Sequence, residues 1–342
     1  MREKVERERR TMHIPDNYLS PQTCGVMAAA MVPVWTIAVR KVREQIPKEK
    51  IPAVGVAAAF SFLGMMFNIP IPGGTTGHAV GATLIAALLG PWGACIAVSV
   101  ALLLQALLFG DGGILSFGAN CFNMAFVMPF VGYGTARLIM GRVRTGKGRL
   151  AGLGIGAYAG INAAALCAAI EFGIQPMLFT NAAGQALYCP YGPEIAVPAM
   201  MIGHLTVFGL AEVVYTTAVY AFLEKTSPDL VRIGDPARSG AAGTSLPVKL
   251  LVTGLIILTP LGLLAEGTAW GEWGADEIAS TGAGYTPAGM RSGFSWNALL
   301  PDYSVGNMPQ AAGYVLSAVI GVAILVIVFK LISAGTKGKT RS

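Results

Sequence analysis

The sequence contains few charged residues and few histidines. Only 12% of its 342 residues are Asp, Glu, Lys or Arg and 3 are His, whereas about 25% of the residues of an ordinary globular domain are charged. Hydrophobic residues make up 54% of the chain. This composition excludes a soluble enzyme, a disordered protein and a nucleic-acid-binding protein. It predicts an all-α polytopic membrane protein, a helical bundle in the lipid bilayer.

Cysteines are also few and show no C-x-x-C spacing. The five are Cys24, Cys95, Cys121, Cys167 and Cys189, and the first four lie in apolar stretches. Closely spaced thiolates are typical of structural metal sites and redox motifs. We therefore expect neither a disulfide framework nor a thiolate metal site, and interpret these side chains as small buried hydrophobes.

Long apolar runs dominate the chain. A spanning helix needs about 20 residues, and we count nine candidate runs: Pro21–Val39, Ile51–Phe67, Gly77–Leu89, Trp92–Phe109, Leu115–Met140, Ala151–Ile174, Ile195–Leu223, Leu250–Leu264 and Ala311–Ile332. The third run is short for a full crossing, so we expect it to be partly re-entrant or shielded by its neighbours. The sequence thus predicts about nine transmembrane helices, arranged as seven followed by two.

The basic residues segregate to alternate loops. Nine crossings place 18 of them on one side of the membrane, in segments 40–50, 137–149, 225–249 and 330–341. After residue 12, the other side holds only Arg291. Because loops rich in Lys and Arg stay in the cytoplasm, we predict a multi-pass protein of the plasma (cell inner) membrane. The Met12 end is expected outside and the C-terminus in the cytoplasm.

Residues 1–11 do not fit this topology. They carry five basic residues on the predicted outer side, and they are not a signal peptide because polar residues follow them instead of an apolar core. We interpret them as a dispensable or removed extension, so that the functional chain starts at Met12. The alternative is a retained extension that is cytoplasmic or poorly ordered.

The runs and loops divide the chain into two modules. Residues 12–225 hold the first seven spans. A polar cytoplasmic linker at 226–245 leads to an accessory module at 246–342, which has two spans and a long outer loop at 265–310. Two helices bury little surface by themselves, so we expect the second module to pack on the first or on a partner.

Met12 and His13 bring three nitrogens together if Met12 is the first residue. These are the α-amine, the amide nitrogen of His13 and an imidazole nitrogen of His13. Flat nitrogen sites suit Ni²⁺ and Cu²⁺, ions that also promote the amide deprotonation that such binding requires. His78 follows a loop of prolines and glycines, for which we predict irregular backbone, and could supply a fourth nitrogen. A hydrogen-bonded packing histidine is the alternative for His78.

Polar residues within or beside the apolar spans form a predicted supporting network. They are Asp111, Asn120, Asn123, His204 and Glu212. Such groups are satisfied by neighbouring helices or mark functional sites. For the two asparagines, an interhelical clamp and direct substrate contact both remain open. For His204 and Glu212 we favour a buried network that holds loops in place over a metal site. We identify no catalytic residue.

Four motifs in order resemble the CbiM/NikM family, the substrate-specificity subunits of energy-coupling-factor transporters for nickel and cobalt. They are MHIPDNYLSP at 12–21, IPGGTTGHAVGATLIAALLGPW at 71–92, DGGILSFGANCFNM at 111–124, and His204 with Glu212. The last hundred residues, with LPDYS at 300–304, resemble the small NikN/CbiN-type accessory subunit. The whole chain therefore resembles a NikMN-type fusion.

The resemblance implies that the metal is bound by the terminal amine, by the amide and imidazole of the second residue, and by the histidine of the PGGT-x-GH segment. Here these residues are Met12, His13 and His78, and a retained extension would abolish the amine ligand. It also implies a CbiQ/NikQ-like transmembrane coupling subunit and CbiO/NikO-like ATPase subunits, which would hydrolyse ATP.

We expect Ni²⁺ as the transported substrate and no organic cofactor. Two alternatives remain. One is a Co²⁺ uptake subunit that serves cobalamin synthesis. The other is a membrane-embedded metal-dependent enzyme that uses His204 and Glu212.

Overall fold

A computed structural model of the chain describes residues 13–71, 75–140, 146–228, 245–265, 268–275 and 277–335. Met12, the preceding extension and most of the predicted linker lie outside the described residues. The described part is a helical bundle with one two-stranded sheet. The prediction of an all-α polytopic membrane protein is thereby confirmed.

Ten α-helices build the first module. They are α1 (Pro21–Gln45), α2 (Ile51–Met65), α3 (Ala82–Leu89), α4 (Pro91–Leu104), α5 (Phe117–Asn120), α6 (Met128–Met140), α7 (Gly146–Gly173), α8 (Gln175–Leu178), α9 (Pro193–Gly203) and α10 (Gly209–Thr226). Pro21, Pro91 and Pro193 each begin a helix, where the missing N–H has no intrahelical partner to lose.

Three π-helical segments extend or join these helices. Gln105–Phe109 continues α4, Cys121–Val127 joins α5 to α6, and His204–Phe208 joins α9 to α10. Such wider turns occur frequently at functional sites. Each segment carries a polar residue that lies in or beside the site described below, namely Gln105, Asn123 or His204.

Six helical segments among the described residues are long and apolar enough to cross a membrane: Pro21–Gln45, Pro91–Phe109, Gly148–Leu178, Pro193–Thr226, Leu246–Leu264 and Gln310–Gly335. Of the three other predicted spans, α2 has 15 residues and 117–140 is a continuous α–π–α helix. The third predicted span, Gly77–Leu89, differs most from the observed helix, because α3 has only eight residues. At about 1.5 Å per residue it cannot cross a core of about 30 Å. The count of nine stays a prediction.

A short β-hairpin precedes α3, where irregular backbone is expected from the sequence. Strand β1 (Ile69–Ile71) pairs antiparallel with β2 (Thr75–Gly77), with Ile69 opposite Gly77. Gly81 adopts φ +70° and turns the chain into α3, a conformation that glycine takes without steric cost. His78 is therefore carried by a segment that is fixed at both ends.

The second module packs on the first. Its α-helices are α11 (Leu246–Leu258), which continues as a 3-10 helix to Leu264, α12 (Ala288–Arg291) and α13 (Gln310–Gly335). Helix α13 lies along α2, where the Tyr314 hydroxyl donates a hydrogen bond to the Met66 carbonyl at 3.0 Å. Gly55 of α2 touches Phe329, so small residues allow the close approach that is typical of membrane helices.

Candidate metal site

The first described residues enter the bundle and are fixed there by hydrogen bonds. The Ile14 N–H donates to Asn120 Oδ1 at 3.1 Å, and the Ile14 carbonyl accepts from Asn120 Nδ2 at 3.1 Å and from the Gly113 N–H at 2.9 Å. Asp16 Oδ1 accepts from the Leu115 N–H at 2.7 Å. These hydrogen bonds fix the segment against the loop around residue 113.

His13 lies at the head of this segment and is only 2% exposed. Its Nδ1 lies 3.1 Å from Asp111 Oδ1, whereas its Nε2 is buried without a hydrogen-bond partner. Buried polar atoms are nearly always paired. A carboxylate that is hydrogen-bonded to an imidazole is the arrangement typical of metal-binding histidines.

His78 follows the hairpin, and its ring lies beside the ring of His13. The ring centroids of His13 and His78 lie 5.1 Å apart. With metal–nitrogen distances of about 2.0–2.1 Å, two imidazoles on adjacent corners of a flat site have centroids about 4.5 Å apart. The structure therefore brings together two of the three predicted ligand residues at nearly the spacing that one ion requires. The third, Met12, lies outside the described residues.

Both rings line a cavity of about 100 Å³. Its other polar lining residues are Thr75, Thr76, Asn120, Asn123, His204 and Glu272. Pockets for drug-sized ligands measure about 300–1,000 Å³, so this cavity suits an ion with a few waters. No group of three or more His, Cys, Asp or Glu side chains in the described part of the chain is arranged to hold a metal.

Asp111 is the centre of a buried hydrogen-bond network behind His13. Its Oδ2 accepts from the Tyr303 hydroxyl at 2.6 Å and from Gln105 Nε2 at 3.2 Å. Gln105 Nε2 also lies 2.8 Å from the Tyr303 hydroxyl oxygen. Sequence reasoning identified Asp111 but missed Gln105 and Tyr303. A lone amide near the end of an apolar run was the only local signal for Gln105.

The two predicted asparagines serve different partners. Asn120 pairs with the Ile14 backbone, whereas Asn123 Nδ2 donates to Glu171 Oε2 of α7 at 2.9 Å. Both side chains are buried and both line the cavity. The contacts fix both asparagines beside the cavity, so the interhelical clamp and direct substrate contact both stay predictions. Glu171 is a buried acid that sequence analysis did not single out, because one carboxylate in a long apolar run carries no spacing information.

Glu212 holds the turn that follows His78. Its carboxyl oxygens accept from the Val80 N–H at 2.8 Å, from the Gly81 N–H at 3.1 Å and from the Thr216 hydroxyl at 3.0 Å. The side chain is fully buried. Glu212 therefore fixes the backbone two and three residues after His78.

His204 has a separate environment from Glu212. Its Nδ1 lies 2.8 Å from the Met200 carbonyl one turn earlier, and its ring packs on Phe208 with centroids 5.2 Å apart. His204 lines the cavity but is less buried than His13 and His78. The two residues of this predicted pair thus hold different parts of the structure.

Glu272 of the outer loop lines both the small cavity and a second one of about 650 Å³. Asp16 and Asp302 also line the second cavity. Burial and the negative charge of Asp111 raise the pKa of Glu272 well above its usual value of 4.5. Sequence analysis noted no role for this residue. The structure places it at the border between the two cavities.

A helical bundle with membrane-spanning helices around a small histidine-lined cavity is the architecture of an integral membrane protein with a buried polar site. Residues 13–230 match the family model CbiM, described as the cobalt uptake substrate-specific transmembrane region, and residues 245–337 match the PDGLE domain. The chain belongs to the CbiM family.

Similar proteins are named as transporters. The chain is 52% identical over 326 residues to the probable fused nickel transport protein LarMN of Lactiplantibacillus plantarum, covering 93% of this chain and 97% of that protein. It is 48% identical over 348 residues to the fused nickel transport protein NikMN of Rhodobacter capsulatus, covering 96% and 99%. A crystal structure of a transition metal transporter is 55% identical with a TM-score of 0.61, covering 67% of this chain and all of that one.

These similarities confirm the resemblance to the CbiM/NikM family and to a NikMN-type fusion. The chain is a component of a nickel or cobalt transporter. It is a transporter and not an enzyme, so the alternative of a metal-dependent enzyme built on His204 and Glu212 is wrong.

Proposed function

We propose that this protein binds Ni²⁺ and takes it up as the substrate-specificity subunit of an energy-coupling-factor transporter. The ligands are the Met12 amine, the His13 amide and imidazole nitrogens, and the His78 imidazole. The observation that carries this proposal is the burial of His13 and His78 in one small cavity, with ring centroids 5.1 Å apart. Because His13 directly follows Met12, the same cavity is within reach of the main-chain nitrogens.

Loading requires the His13 ring to turn. A chelate ring that includes the His13 amide nitrogen closes through Nδ1, because Nε2 lies on the far side of the imidazole. Nδ1 faces Asp111 at 3.1 Å, so loading replaces this hydrogen bond with a bond to nickel. A half-turn of the ring about the Cβ–Cγ bond exchanges Nδ1 with Cδ2 and Nε2 with Cε1. Nε2 then lies beside the position that Nδ1 has left. Asp111 then accepts from Nε2–H, as carboxylates do behind metal-bound imidazoles.

Nickel is preferred to cobalt because four nitrogens in one plane suit Ni²⁺, and because the hairpin loop has the PGGT sequence. Similarity to fused nickel transport proteins over nearly the whole chain also supports nickel. Cobalt is the second candidate, since the description of the family model names cobalt uptake.

The transport cycle needs partners that this chain does not encode. We assign these roles to a CbiQ/NikQ-like coupling subunit in the membrane and to CbiO/NikO-like ATPase subunits. The protein lies in the cell inner membrane with the Met12 end outside and the C-terminus in the cytoplasm, as the distribution of basic loops predicts. Residues 12–225 capture the metal, residues 226–245 link the modules, and residues 246–342 form the accessory module.

Equilibrium nickel binding to purified protein that starts at Met12 tests the proposal. His13→Ala and His78→Ala are each expected to abolish high-affinity binding without loss of expression. His204→Ala is the matched control, because His204 lines the same cavity but is not assigned as a ligand. It is expected to stay within a few-fold of the native affinity. Native affinity in either His13→Ala or His78→Ala would overturn the assignment.

A further inference from the structure

Tyr303 reaches from the accessory module to the network behind His13. It lies in the short 3-10 turn Pro301–Tyr303, just before α13, yet only 4% of it is exposed. Its hydroxyl donates to Asp111 Oδ2 at 2.6 Å, and Asp111 Oδ1 lies 3.1 Å from His13 Nδ1. Two hydrogen bonds therefore connect the second module to a residue assigned to bind the metal.

The backbone at Tyr303 adopts a conformation that bulky residues rarely take. Asp302 has φ +53° and Tyr303 has φ +57°, two consecutive side-chain-bearing residues in the left-handed region. Such outliers persist only when the surrounding structure enforces them, and they cluster at functional sites. Here the Ser317 hydroxyl of α13 donates to the Tyr303 carbonyl at 2.9 Å. The accessory module thus holds the tyrosine in a strained but defined position.

The ring of Tyr303 is fixed independently of its hydroxyl. It stacks on Phe109 with centroids 4.6 Å apart and an interplanar angle of 19°, and it packs on Tyr314 at 5.1 Å. Gln105 donates to both the hydroxyl and Asp111. Since the ring is held by apolar contacts, removal of the oxygen alone should leave the packing intact, while Asp111 and Gln105 each lose one hydrogen bond.

We propose that Tyr303 is a positioning residue for metal capture. By holding Asp111 in place, it orients the His13 imidazole, so the accessory module takes part in binding the ion as well as in any coupling to partners. This inference rests on the proposed function, in which His13 binds the metal. Partners behind metal-bound histidines typically change affinity by about 10–100-fold when mutated. For Tyr303→Phe we expect about 10-fold weaker nickel binding, at the low end of that range, because Gln105 still holds Asp111.

The experiment compares nickel affinity in the full chain from Met12 for the native protein, Tyr303→Phe and Tyr314→Phe. Tyr314→Phe is the matched control, because it removes a buried phenol oxygen of the same module that is bonded to the Met66 carbonyl. It is expected to bind nickel like the native protein. The visible absorption band of bound nickel should shift in Tyr303→Phe alone, since that band reports the ligand geometry.

A double-mutant cycle shows whether Tyr303 acts through Asp111. In an Asp111→Asn background, Tyr303→Phe is expected to change affinity by less than twofold, because coupled residues are not additive. A full 10-fold effect in that background would overturn the inference, as would native affinity and an unshifted band in Tyr303→Phe. His13→Ala distinguishes failure of the proposed function from failure of this inference. If it keeps native affinity, the proposed function fails; if it loses nickel while Tyr303→Phe binds normally, only this inference fails.

Discussion

Replacing Glu212 by Gln should weaken both the fold and the nickel site. The carboxyl group accepts hydrogen bonds from two successive backbone N–H groups, those of Val80 and Gly81, inside the bundle. An amide side chain keeps one accepting oxygen and presents an NH₂ group in place of the other. The NH₂ group replaces one of the two oxygens that accept from the Gly81 N–H at 3.1 Å, so two donors face each other inside the bundle while the shape of the side chain is preserved.

The expected cost follows from these contacts. A buried donor that is left unsatisfied costs about 1–3 kcal/mol, so Glu212→Gln should lower the free energy of unfolding by about that amount. The affected backbone lies two and three residues after His78. Disturbing the support of a metal-binding histidine typically weakens metal affinity by about 10–100-fold, and we expect a loss of about tenfold for nickel.

The assay is denaturant unfolding in detergent micelles, with nickel affinity measured on the same preparations. Glu224→Gln is the matched control, because Glu224 lies on the same helix and forms a partly exposed ion pair with Arg149 at 3.0 Å. Pairs of that kind contribute little, so the control should change stability by less than about 0.5 kcal/mol. Equal effects of the two substitutions on stability and affinity would refute the assigned role of Glu212.

Two further predictions concern the N-terminal segment and the protons of the ligands. In Gly113→Ala, the added Cβ atom would overlap the backbone of Pro15 and Asp16 and displace the N-terminal segment. We expect weaker nickel binding, with a smaller effect on the expression level. Native nickel affinity in this variant would contradict the packing argument. Nickel binding should release protons, because amine, amide and imidazole must all be deprotonated to bind a metal. Affinity should therefore fall as the pH is lowered. Calorimetry in buffers of different ionisation enthalpy measures the proton release, and a pH-independent affinity would contradict it.

The long helices could be predicted from the sequence because hydropathy depends on local composition. The last span was predicted at Ala311–Ile332 and is helical over Gln310–Gly335. The first was predicted to stop at Val39, yet α1 continues to Gln45. The extra turns are charged, and Arg40 pairs with Glu44 at 2.8 Å on the same helix face. An apolar count identifies the part of a helix that lies in lipid, while the helix itself continues beyond it.

The hairpin and the shortness of α3 could not be predicted in this way. Strand pairing between 69–71 and 75–77 depends on backbone contacts, and the apolar run 77–89 has the same composition whether it is helical throughout or only from Ala82. The run is apolar because it is buried in protein. Hydropathy does not distinguish burial in protein from contact with lipid.

The candidate ligands could be found because Met12 and His13 are adjacent in sequence and because the motifs resemble a known family. The side chains that support these ligands were harder to predict from the sequence. Tyr303 lies 192 residues from Asp111, and no local pattern in either segment indicates that contact. Glu272 could not be predicted from local sequence either, because its position between two cavities depends on how the outer loop packs on the first module.

The central claim is that a free main-chain amine at Met12 completes a flat nickel site with His13 and His78. The most direct measurement is nickel affinity for two intact proteins whose masses have been verified, one starting at Met12 and one carrying residues 1–11. We predict high-affinity binding and a square-planar nickel absorption band only for the chain that starts at Met12. Equal affinity and the same band in the chain with residues 1–11 attached would contradict the claim.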